Sequence, residues 1–134
     1  MRAYLLILAG LPLVAQTETN IACVERLELP AYPALAKQAR ITGVSTIVVL
    51  LGVNALVQKI SSTWTGTKNG GVFVPDVERS VRTSSFAKTC AGKAVTLIFH
   101  FELGEHLMEN QQPTVSFGYP NHFWITAPPM HWQP

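Results

Sequence analysis

The sequence predicts an α+β domain: a small antiparallel three-stranded sheet in the order 2-1-3, two helices on one face, and a C-terminal hairpin-like extension. Three observations predict it. Val95, Leu97, Phe99, Phe101 and Leu103 alternate without a break, the period of a strand with one face buried. Val44 to Leu51 is rich in β-branched residues and is followed by a turn signal and a second strand-like run, which reads as a hairpin. From Pro75 the period changes to 3.6, with Val77 and Val81 stacked four residues apart.

Taken in order, Val24 to Leu29 reads as a brief strand broken by Pro30, and Tyr32 to Arg40 as a helix. Pro33 suits its first position, Leu35, Ala36 and Ala39 recur at helical spacing, and Gly43 follows its end. The first sheet strand is Val44–Leu51, apolar on both faces late in the run, as a central strand is. Gly52-Val53-Asn54-Ala55 turns the chain into the returning strand Leu56–Thr63. Trp64 to Gly71 carries loop signals. Asp76 and Glu78 sit in the first turn of the second helix, where the backbone dipole favours carboxylates; the helix ends near Ser84-Ser85. Lys93–Leu103 is then the third strand, parallel to the second, at an edge of the sheet. The organisation is a segment 1–15, a lead 16–28, a domain 29–104 and an extension 105–134. The extension is rich in proline and aromatic residues, with short strands expected at 114–118 and 122–126 that pack on the domain or extend its sheet.

Composition narrows the function. The chain has 134 residues, enough for one core. Ten Lys and Arg against eight Asp and Glu give a net charge of +2, and the basic residues form no stripe, so nucleic acid is not an expected partner. One positive charge, an apolar run and Ala15 before Gln16-Thr17-Glu18 read as a secretory signal cut after Ala15, placing the chain in the periplasm or outside the cell. An uncleaved anchor and a lipoprotein signal ending at Cys23 are the alternatives. In an oxidising compartment Cys23 and Cys90 are expected to pair. His100, His106, His122 and His131 are too dispersed for a metal signature, and His100 reads as a polar-face strand residue. No nucleophile elbow or phosphate loop is present, so neither enzyme activity nor a cofactor is expected.

Tyr32-Pro33 reads either as a tyrosine capping the core beside a helix start or as a contact surface offering apolar area and a hydroxyl to a peptide. Together with Ala36, Ile41-Thr42-Gly43-Val44, the turn into Val57, Ile60-Ser61-Ser62, the Val77 and Val81 helix, Phe86, Gly92 and the Val95-to-Phe101 strand, it resembles the C-terminal domain of TonB, the periplasmic energy transducer of Gram-negative bacteria, over Leu29 to Leu103. About a dozen residues separate Gln16 from Leu29, so the chain resembles a stand-alone secreted TonB-like domain rather than one on a long spacer. The resemblance implies recognition of an extended peptide, such as the N-terminal segment of an outer-membrane transporter, by β-augmentation along the last core strand. The residues implied in binding are Tyr32, Pro33, Val95, Leu97, Phe99 and Phe101. The alternative expectation is an assembly subunit whose extension closes that edge and mediates self-association, for instance as a homodimer.

Overall fold

Alternation along the strands decides the layering. The computed structural model describes residues 17–18, 23–108 and 110–130, so the expected signal at 1–15 lies outside the described residues. In chain order the elements are β1 (Thr17–Glu18), β2 (Val24–Arg26), α1 (Ala34–Gln38), β3 (Gly43–Leu51), β4 (Val57–Gly66), α2 (Val74–Thr83), β5 (Ser85–Phe86), β6 (Ala94–Leu103), β7 (Thr114–Gly118) and β8 (His122–Ala127). On β6 the buried residues Val95, Leu97, Phe99 and Phe101 share one face. Ile47 and Val49 of β3 lie opposite Leu97 and Val95, while Phe123 and Ile125 of β8 lie opposite Phe99 and Phe101. Ala36 of α1, Phe73, and Val77 and Val81 of α2 join these side chains in one core.

The sheet corrects the expectation of a three-stranded antiparallel one. Its order is β4-β3-β6-β8-β7, with β1 beside the start of β6, while β2 and β5 form a separate two-stranded sheet. It is mixed: β6 runs antiparallel to β3 and parallel to β8. The cause lies in the extension. Leaving β6, the chain builds β7 first and then turns back through Tyr119-Pro120-Asn121, so that β8 slots between β6 and β7. Phe123, Ile125 and Ala127 alternate towards the core and satisfy both the apolar face and the main-chain groups of β6.

Two boundaries also move. Helix α1 spans only Ala34–Gln38, with Pro33 extended just before it (φ −62°, ψ 142°) rather than in its first turn. Strand β4 runs on through Trp64 to Gly66, where a loop was expected, because Ser45 pairs with Trp64 and Gly43 with Gly66. The two facing glycines make that pairing possible: a Cβ on Gly43 would stand 2.6 Å from the Thr65 carbonyl oxygen.

The expected Cys23–Cys90 disulfide is formed, joining the lead segment to the turn before β6. Around it, the Arg26 guanidinium donates to the Thr83 carbonyl at 2.8 Å, and the Glu28 N–H donates to Ser84 Oγ at 2.9 Å. The lead is thereby clamped to the end of α2.

Candidate interaction edge

Strand β6 is interior, and this overturns the expected site. Residues Gly43–Leu50 of β3 line one side of it, while Ile98–Leu103 pair with β8 on the other. The first half of that second side is covered as well. Ala94 and Val95 pair with β1, the Asn121 side-chain amide donates to the Thr96 carbonyl at 3.0 Å, and the Ile98 N–H donates to the Asn121 carbonyl at 3.0 Å. Val95, Leu97, Phe99 and Phe101 are all buried core residues. No row of main-chain donors and acceptors on β6 is left for a peptide, because the extension supplies that neighbour from the same chain.

Tyr32 sits in the core too. Its ring meets Phe73 and Phe101 edge-on, at 5.3 and 5.6 Å between centroids, and its hydroxyl donates to the Ile41 carbonyl at 2.6 Å. Burial, and then the negative charge of Glu102, push its phenol well above the usual range, so it stays a donor. Pro33 is half-buried beside it. Of the two readings of this pair, the geometry selects the core cap. Tyr32→Phe is therefore expected to lower stability by about 1–2 kcal/mol, since the buried Ile41 carbonyl loses this partner. Urea denaturation measures it; a residue serving only as a peptide contact would leave the midpoint unmoved.

The extension closes one edge and creates another. Among the described residues β7 has β8 on one side and no strand on the other. Thr114-Val115-Ser116-Phe117-Gly118 contains no charge, and its register with β8 is regular from Thr114↔Thr126 to Gly118↔His122. Val115 is 47% exposed, Phe117 51% and the adjoining Tyr119 84%, large values for apolar side chains on a paired strand. Val115 and Phe117 lie on the core face, opposite Ile125 and Phe123, and Phe117 already packs against Phe123 at 5.2 Å between ring centroids. Phe123 and Ile125 are buried, while their neighbours on β7 are half in water. The outer strand at the far side, β4, is different: it carries Lys59, and its register shifts between Leu50 and Leu51. A charge and a bulge are devices that discourage strand addition, and β7 has neither.

No family model, curated protein or solved structure matches the chain.

An open depression of about 320 Å³ beside the β3–β4 turn is lined by Asn54, Leu56, Arg82, Ser85 and Phe86, and Arg82 is the only titratable group in its lining. Among the described residues no three His, Cys, Asp or Glu side chains converge as metal ligands. One polar pairing escaped the sequence reading. On the sheet face away from the helices, His100 of β6 and His122 of β8 are joined by a ring-nitrogen hydrogen bond, Nε2 to Nδ1, at 2.8 Å. The indole of Trp124 stacks on His100 at 4.4 Å and lies 5.5 Å from His122. The two histidines are separated by 22 positions in sequence, and only the parallel pairing of β6 with β8 brings them together. Gly118 leaves room for this stack, since a Cβ there would come within 2.4 Å of the Trp124 ring.

Proposed function

We propose that this chain is an exported assembly module that self-associates by pairing the β7 strands of two copies into one continuous sheet. The observation that carries this reading is the contrast between the two outer strands: β4 bears a lysine and a bulge, whereas β7 is uncharged and regular and carries half-exposed Val115 and Phe117. The sequence of β7 favours a second copy as its partner. An antiparallel pairing about a two-fold axis through Ser116 sets Val115 opposite Phe117 of the other copy, and Thr114 opposite Gly118. Apolar side chains then meet on one face, an aromatic–β-branched pair on each side of the axis. No like charges meet, because residues 110–118 contain none.

This reading keeps strand addition, the mode that the TonB resemblance implies, and moves it outward from β6 to β7. It also keeps the periplasm or the secreted space as the location, where the Cys23–Cys90 bridge persists. A strand of five residues spans about 17 Å, so the contact is small and the association belongs at the weak end of the range.

Sedimentation equilibrium over a wide concentration range is the test. The expected result is a reversible monomer–dimer equilibrium that Phe117→Lys abolishes, while circular dichroism stays unchanged and the thermal midpoint matches the wild type at dilute, monomeric concentration. Ser116→Cys is expected to form a disulfide-linked dimer, since the axis places the two copies of this residue side by side. A wild-type chain that remains monomeric at every concentration, or a dimer untouched by Phe117→Lys, overturns the proposal.

A further inference from the structure

We propose that the His100–His122 contact is an acid-sensitive latch on the seam between β6 and β8, holding the C-terminal hairpin to the sheet at neutral pH and releasing it as both rings become charged. The latch belongs to this seam alone and operates whether or not β7 takes a second copy. An N–H···N bond between imidazoles needs one ring nitrogen that carries a proton and one that offers a lone pair. The neutral pair satisfies it, and so does a pair carrying one extra proton. Two cations do not: both facing nitrogens then carry hydrogens, 2.8 Å apart in the present geometry.

The surroundings allow the first charge and resist the second. On β6, Glu102 follows His100 on the same face and its negative charge favours protonation of that ring. The Trp124 indole stacked on His100 also tolerates a cation. Against this, burial lowers the His100 value most, and charge on His122 lowers it further. The remaining residues registered beside the pair on this face are Ile98 of β6, opposite His122, Val44 of β3, opposite His100, and Gly118 and Ser116 of β7, opposite His122 and Trp124; none is charged. One carboxylate therefore faces two imidazoles.

A histidine whose folded value lies below its unfolded one binds fewer protons when folded, so the seam keeps its full stability above about pH 6.5 and loses it as the pH falls through that value. Because His100 and His122 join β8 to β6, the loss falls on the hairpin first, while β3 and β4 keep their own pairing.

Amide hydrogen exchange on the full-length, disulfide-bonded chain tests this at about pH 7.5 and about pH 5, with intrinsic rates divided out. Protection of His122–Ala127 is expected to fall at least about tenfold more than that of Thr46–Val49. In His122→Gln, which keeps a side-chain hydrogen-bonding group but cannot take a charge, this difference is expected to shrink to what the burial of His100 alone contributes. Equal loss in both segments of the wild type, or the same selective loss in His122→Gln, overturns the proposal. Ring-nitrogen NMR titration of the wild type gives an independent readout should the variant fold poorly. His100 is expected to titrate below the ordinary histidine range, and a His100 step at the ordinary value would refute the latch.

Discussion

Replacing Cys23 and Cys90 together with alanine is expected to lower the free energy of unfolding by about 4 kcal/mol. The bridge closes a loop with a sequence separation of 67, and in the chain-entropy account a loop of that length restrains the unfolded chain by about that amount. The native contacts support a loss of this size. Both sulfurs are buried, and the bridge fastens a lead segment whose own sheet, β2 with β5, has only two short strands. A two-stranded ribbon has little independent stability. With the bridge gone, the lead depends on the short β1–β6 and β2–β5 pairings, the Ala87 N–H bond to the Cys23 carbonyl and the exposed contacts of Arg26 and Glu28. Guanidinium denaturation of both forms measures the difference, and a loss smaller than about 1 kcal/mol would show that the bridge does not restrain the unfolded state as the loop length requires.

Phe101→Ala is expected to cost about as much, roughly 4 kcal/mol, for a different reason. Phe101 is fully buried, stacks on Phe73 at 4.1 Å and meets the edge of Tyr32 at 5.6 Å, with Trp64 stacked on Phe73 at 5.1 Å and lying 6.5 Å from Phe101. These rings join the segment before α1, the turn before α2, β4 and β6 at one end of the sheet. Truncation removes the ring's transfer free energy and leaves a cavity that rigid aromatic neighbours fill poorly. The control is on the same sheet. Phe117→Ala removes the same atoms from a half-exposed site and is expected to change stability by no more than about 0.5 kcal/mol. If the two variants unfold at similar urea concentrations, the assignment of core and rim is wrong.

Local signals made the first part of this fold legible. The unbroken alternation on β6 and the β-branched run of β3 report their own burial, because a strand with one apolar face must bury it. The Cys23–Cys90 pair was expected from the number of cysteines together with an expected export, and the bridge itself is formed. The strands at 114–118 and 122–126 were also visible as short alternating runs. What no local signal reports is the neighbour each strand takes. Phe123 and Ile125 alternate in a way that suits any half-buried strand, and nothing in residues 105–134 says that β8 enters beside β6 rather than folding back as an appendage. The expected site failed for that reason: its side chains were placed correctly on a long strand, but the site needed an unpaired edge, which is a property of the whole sheet. Trp64 shows the same limit in reverse. Trp64-Thr65-Gly66 reads as loop, yet pairing with Gly43–Ser45 holds it in a strand and the stack of Trp64 on Phe73 anchors it.

The position of β8 has a consequence for synthesis. The chain delivers the outermost ribbon, Thr114–Gly118, before the one that must separate it from Ala94–Leu103, so the hairpin arm stays unattached until the stretch ending at Ala127 has followed it. Until then the hydrogen-bonding groups along Ile98–Leu103 face solvent or a chaperone, and a message truncated between these two segments leaves a protein with an open flank where the mature form has a filled gap.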